Sequence, residues 1–197
     1  KVGERLAAVV AASAGSPSVT YMYDPDLDWT GHAYGVGSMQ WRQELSMVDA
    51  AAEHLRETLP SDVRIVVVAD HGMVDSPADR RIDVDETPEL ADGVAVVAGE
   101  ARFRQLYCRG GAVDDVAATW REVLGERAEV VTRDEALARG WFGELDPTVR
   151  PRIGDVLAAC RDDHAVLSTS AFPFEARLVG LHGSLTPAEM LIPIVVA

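Results

Sequence analysis

Asparagine is absent from the 197 residues, and Lys1 is the only lysine, whereas arginine is plentiful. That bias is what a GC-rich bacterial genome produces. Cysteine is scarce too: Cys108 and Cys160 cannot make a disulfide framework and read as two reduced core residues, with a single bridge between neighbouring strands as the alternative. No apolar run approaches the roughly 18 to 20 residues that span a bilayer. Residues 6–12 (LAAVVAA) are too short and lack a signal-peptide layout. No targeting segment is visible, and a cytoplasmic, bacterial setting is the expectation. Basic charge is in short supply: 18 Lys and Arg face 32 Asp and Glu, a formal net charge of −14. A nucleic-acid scaffold is therefore unexpected, because phosphate backbones demand basic patches. Small phosphorylated ligands stay open, since bound metal ions can supply the positive charge.

What is present is enough to fold. An apolar fraction of 48% fills a core, and the length suits one domain with room for a small inserted lobe. Residues 3–14 are Ala-rich and read as a helix that Gly15-Ser16-Pro17 stops. Val19 to Tyr23 reads as a strand, residues 24–38 as a polar loop, and 39–59 as a long amphipathic helix closed by Pro60. Residues 63–70 carry the strongest strand signal, a near-continuous apolar run that predicts burial on both faces of a parallel sheet. Strand, helix and strand in this order predict a right-handed crossover and a layered α/β fold.

From about residue 92 the rhythm changes. Strands are expected at 93–99, 103–108, 128–132, 154–160 and 165–169, and helices at 113–125 and 133–140. The expected division is a core of 1–91 with 171–197, and a small α+β insert of 92–170 that caps the site or mediates homo-oligomerisation. Arg102, Arg104 and Arg150-Pro151-Arg152 read as surface charges of this insert, with a reach to a phosphate as the alternative. Residues 177–181 read as a strand, Thr186 and Glu189 as a capping box, and Ile192 to Ala197 as a last buried strand.

Of the five histidines, His32, His71 and His182 each neighbour a glycine and lie near the exit of an expected strand. Ligands of open α/β sheets bind beyond the carboxyl ends of the strands. Asp28 stands four before His32, and Asp70 directly precedes His71. Imidazole nitrogen and carboxylate oxygen are the usual ligands of zinc and similar ions. Capping of helix ends by polar loop residues is the competing explanation for any one pair, but a weak one for all three. His54 reads as a solvated helix residue and His164 as part of a polar turn. Asp24 and Asp26 neighbour the first site and are candidates to support it from behind, whereas Asp75, Asp79, Asp83 and Asp85 read as a solvated loop. Tyr23, Trp29, Tyr34 and Trp41 surround the Asp28–His32 segment, either as loop packing or, for Trp29 and Tyr34, as a stacking surface for a base or aromatic leaving group.

The segment Tyr23-Asp24-Pro25-Asp26-Leu27-Asp28-Trp29-Thr30-Gly31-His32-Ala33-Tyr34-Gly35 resembles the PD-x-x-GH-x-x-G loop of type I phosphodiesterases and nucleotide pyrophosphatases, in the alkaline phosphatase superfamily. Val68-Ala69-Asp70-His71-Gly72-Met73 is similar to their strand-ending D-H-G-M. Gly180-Leu181-His182-Gly183-Ser184, followed by Glu189-Met190 and Ile192-Pro193, is similar to their last histidine motif. The resemblance implies the alkaline phosphatase type of layered α/β/α fold, in part, and a site for two divalent metal ions, usually zinc. By position it implies one ion on Asp28, His32 and His182 and the other on Asp70 and His71. In the family the second ion also takes an Asp and a nucleophilic Thr from a segment upstream of the first motif. Nothing here matches that segment, and the chain does not begin with Met. The expectation is a C-terminal part of a hydrolase acting on phosphate-ester or nucleotide substrates, inactive alone because its nucleophile lies in a missing N-terminal segment. Two alternatives stand beside it: a non-catalytic metal-binding or interaction module, and a phosphomonoesterase, sulfatase or phosphonate hydrolase of the same superfamily.

Overall fold

The structure is a computed structural model that describes residues 2–15 and 17–197. Ser16, in the expected stop of the first helix, lies outside the described residues. Three helices come first: α1 (Val2–Ala12), α2 (Asp26–Tyr34) and α3 (Met39–Thr58). The expected polar loop at 24–38 is thus largely helical. Asp26 and Asp28 occupy its first turn, where carboxylates favour the positive end of the helix. Gly35, with φ of 89°, ends it. Ser38 caps α3 by accepting from the Trp41 N–H.

Short strands follow: β1 (Val66–Val68), β2 (Val74–Asp75) and β3 (Arg81–Asp83). Beyond the helix α4 (Pro88–Ala91) come β4 (Val94–Glu100), β5 (Phe103–Cys108), α5 (Val113–Leu124), β6 (Ala128–Thr132), α6 (Arg133–Ala138), β7 (Val156–Cys160) and β8 (Ala165–Leu167). The chain closes with β9 (Gly180–Leu181), α7 (Pro187–Met190) and β10 (Ile194–Val196). The architecture is mixed α/β. Strands β4, β5, β7 and β6 make one antiparallel sheet in that order, while β1–β10, β2–β9 and β3–β8 form three two-stranded pieces.

The four-stranded sheet holds the core. Strand β7 lies at its interior and all five of its residues are buried. Alternate side chains leave on opposite faces. Val156 and Ala158 meet Val116, Trp120 and Leu124 of α5, whereas Leu157 meets Val131, Ala136 and Ile153 on the other side. The α5 anchors recur at helical spacing, and the fully buried Trp120 donates its indole N–H to the Leu90 carbonyl. The first of these clusters runs from Val84 to Val166, so the sheet also draws in residues from before position 92.

The structure corrects several further expectations. Val19 to Tyr23 forms no strand; Val19 is fully exposed, and β-branched residues do not make a strand without a neighbour to pair with. The run at 63–70 is a strand only over β1. It pairs antiparallel with β10, and both are exposed on all three residues rather than buried in a parallel sheet. With no strand at 19–23, the expected crossover is absent. Arg102 and Arg104, expected at the surface, are completely buried against Glu189 and Glu175. The expected capping box at Thr186 is also not formed: the Thr186 hydroxyl donates to Glu189 Oε2, and Glu189 turns inward to Arg102. Arg150 and Arg152 remain exposed, and both cysteines are free, Cys160 buried and Cys108 half-buried.

Candidate metal centre

Helix α2 supplies the first pair. Asp28 and His32 are four apart, so they share one face of the helix. Their neighbour Gly31 is buried where a Cβ would stand 2.6 Å from Met73 Sδ. The antiparallel pairing of β2 with β9 supplies the rest, setting Val74 opposite Leu181 and so joining the His71 and His182 segments. A Cβ on Gly180 would lie 2.4 Å from the same Met73 sulfur and 2.6 Å from the Gly31 carbonyl oxygen. Gly31, Met73 and Gly180 therefore pack where the three segments meet, and no larger residue fits at either glycine without movement.

The three imidazoles gather on one carboxylate. Asp28 Oδ2 is 3.5 Å from His32 Nε2, and Asp28 Oδ1 is 3.7 Å from His182 Nε2 and 4.0 Å from His71 Nε2. Ligand atoms of Asp28, His32 and His182 all lie within 4.8 Å of one another. His71 stacks on His182 with ring centroids 3.7 Å apart. The far ring nitrogens are already engaged: His32 Nδ1 is 2.7 Å from the Gly180 carbonyl oxygen and His71 Nδ1 is 2.8 Å from that of Gly72. A carbonyl only accepts, so each Nδ1 carries a proton and the neutral form of each ring presents the Nε2 lone pair to the centre.

Two features mark the site electrostatically. Burial, followed by the neighbouring His71, holds His182 below its ordinary value and so favours its neutral imidazole. Asp28 Oδ1 is screened from solvent yet finds no hydrogen-bond donor among the described residues. A buried acceptor without a donor is costly in the free protein, and a cation between the imidazoles and this oxygen removes the cost. The donor set, imidazole nitrogens with their far sides tied to carbonyls plus a carboxylate, suits a divalent ion.

The other expected residues are placed as follows. Asp70 sits at the exposed rim, its Oδ1 3.7 Å from His71 Nε2 and accepting from the His71 backbone N–H. Asp24 does not face the centre but is ion-paired with Arg5 of α1. Asp75 is engaged as well, accepting from the Val36 N–H and so fixing the exit of α2. Trp29 stacks parallel to Phe174 with centroids 5.9 Å apart and about half of each ring exposed. Tyr34, in the last turn of α2, makes no ring contact among the described residues. Phe174 carries no signal of its own in sequence, and the pairing of Arg102 with Glu189 is not written locally, because each is defined by a partner far along the chain.

Residues 1–185 match the model of the type I phosphodiesterase/nucleotide pyrophosphatase family. The chain belongs to that family. Its fold is similar to that of human ectonucleotide pyrophosphatase/phosphodiesterase 5, with a TM-score of 0.79 and 17% identity over 100% of this chain and 52% of that one. The murine protein of the same name, in an inactive form in complex with AMP, matches with a TM-score of 0.79, 19% identity and the same coverage. Phosphonoacetate hydrolase from Sinorhizobium meliloti, in complex with phosphonoformate, matches at 0.63 with 22% identity over 86% of this chain and 43% of that one. The chain thus spans about half the length of these structures. No curated protein matches the chain by sequence. No described helix is long and apolar enough to cross a membrane.

Proposed function

We propose that this chain carries the metal-holding part of a hydrolase that cleaves phosphodiester or pyrophosphate bonds in nucleotide-type substrates. The observation that carries this reading is the Asp28 carboxylate, its Oδ1 without a donor among the described residues, on which the Nε2 atoms of three imidazoles converge. One ion takes Asp28, His32 and His182. The second takes Asp70 and His71, completed by an Asp and a nucleophilic Thr that lie outside these residues. Zinc fits both, because the donors are imidazole and carboxylate.

When bound, two such ions supply Lewis acidity at the phosphoryl oxygens and neutralise the charge that builds on the attacking and leaving oxygens. The chain's own residues prepare for that. The Gly180 and Gly72 carbonyls fix the tautomers of His32 and His71. Burial favours the neutral form of His182, which is able to ligate. Trp29, next to Asp28, offers with Phe174 a half-exposed aromatic surface for a base or aromatic leaving group, with Tyr34 at the end of the same helix. We place the phosphorylated threonine of the reaction in the length of the family structures that this chain does not span. The apolar faces of β1 and β10, exposed on every residue, are the natural seat for that further chain.

The isolated chain, with only Asp70 and His71 for its second ion, should take up one zinc tightly and the other weakly, and should hydrolyse nothing. The full-length gene product should hydrolyse bis-p-nitrophenyl phosphate and lose that activity on His182→Ala. A zinc-loaded full-length protein inert toward diesters and nucleotides would instead favour a non-catalytic metal-binding module. Preference for a phosphonate or a monoester would move the enzyme elsewhere in the superfamily.

A further inference from the structure

Behind the imidazoles lies a fully buried ion pair. Arg102 occupies the turn of the β4–β5 hairpin, and Glu189 lies in α7; their side chains are essentially without solvent exposure. Arg102 Nε donates to Glu189 Oε1 at 2.7 Å and Nη2 to Oε2 at 2.8 Å, a bidentate fork. The guanidinium also donates to the carbonyls of His164 and Asp162, so it is fixed from both sides.

Glu189 is then bonded to both histidine segments. Its Oε1 accepts from the Ser184 N–H, two residues after His182. Its backbone carbonyl accepts from the Gly72 N–H at 2.8 Å, and the Gly72 carbonyl in turn accepts from His71 Nδ1. Space is closed as well as bonded. A Cβ on Gly72 would lie 2.0 Å from the Ala188 carbonyl oxygen, and one on Gly183 2.9 Å from Glu100 Cβ in the same hairpin.

We propose that the Arg102–Glu189 pair is a positioning device that sets the spacing of the His71 and His182 imidazoles. This rests on the metal-centre reading above. Neither residue touches the reacting atoms. The pair acts through the Gly72 peptide and the Ser184 amide, and it makes the insert hairpin a buttress of the centre. The Arg104–Glu175 pair provides a built-in comparison. It is similarly buried on its arginine side, but its further bonds go to the Val166 and Gly99 carbonyls and reach neither histidine segment.

The test compares Glu189→Gln with Glu175→Gln in the full chain, first without metal and then with Co2+ as probe. In metal-free protein, Glu189→Gln should shift the His71 Nδ1–H and His182 ring signals in 1H–15N spectra, while Glu175→Gln leaves them in place. Cobalt affinity should then fall by about ten- to a hundredfold for Glu189→Gln alone, with an altered visible absorption, as happens when groups behind metal ligands are lost. Arg102→Lys, which keeps the charge but not the fork, should fall between Glu189→Gln and the unaltered protein. If Glu189→Gln does not fold, Thr186→Val removes one donor to Glu189 with both charges intact, and the same ring signals should move by less. Ring signals and cobalt affinity unmoved in the folded variant, or moved equally by Glu175→Gln, would overturn the assignment. An unaltered protein that binds no cobalt while its ring signals respond to Glu189→Gln would end the metal reading and leave the positioning role standing.

Discussion

His71 and His182 lie face to face, their ring centroids 3.7 Å apart and their planes 19° from parallel. Two imidazolium rings repel at that spacing, so the pair is stable with at least one ring neutral. Burial acts in the same direction on His182.

The sign of the resulting pH dependence follows. Folded His182 binds its proton less readily than unfolded His182, whose ordinary value is about 6.5. Above that pH both states are neutral and nothing is lost. As pH falls below about 6.5 the unfolded state takes up the proton first, so stability declines until the folded ring protonates too. Thermal unfolding of the metal-free chain between pH 8 and 5 should show this decline, and His182→Gln should flatten it.

Asp28→Asn tests the unsatisfied acceptor. Replacing the carboxylate removes a charge whose Oδ1 has no donor among the described residues. Metal-free protein at pH 8 should melt at the same temperature or a few degrees higher, and its zinc affinity should fall by roughly a hundredfold or more. A metal-free variant clearly less stable than the original would show that the histidines alone satisfy this carboxylate.

Gly72→Ala should be among the most damaging single-methyl additions in the chain. Its new Cβ would stand 2.0 Å from a backbone oxygen of α7, which has no flexible end to swing away. A loss of about 3 kcal/mol is expected from chemical denaturation. Gly110→Ala, with nothing within 4 Å of its Cβ, is the matched control and should change stability little.

If the proposed function holds, Trp29→Ala and Phe174→Ala in the full-length protein should raise KM for a nucleotide substrate roughly three- to tenfold with kcat little changed, in keeping with one lost aromatic stacking contact. An equal effect on a substrate without an aromatic group would place the two rings in packing rather than in recognition.

Much of the sheet was legible because its signals are local. The strands at 103–108 and 128–132 and the start of the helix at 113 follow directly from pattern, since alternation and helical spacing are written within a few residues. His32, His71 and His182 were legible as candidates through their glycine neighbours, and Asp28 through its place four before His32; the structure brings all four together. The helix over 26–34 was hidden by Pro25 and two glycines, although its first-turn carboxylates are a helix signal. The runs at 66–68 and 194–196 look like buried strands because their sequence is written for cover on both faces, which the described residues do not provide. Arg102 and Arg104 were misread because burial of a charge depends on its partner. Glu189 and Glu175 lie 87 and 71 positions away along the chain.

The hairpin turn has a bearing on how such proteins can be recombined. Because Arg102 supplies the cation for a carboxylate 87 positions further along the chain, grafting in a 92–170 segment with no arginine at that place strands the buried Glu189 charge unless position 189 is exchanged with it. Chimeras that swap both stretches should fold, and those that swap one should not. The hairpin turn and the last short helix are, for purposes of inheritance, a single piece.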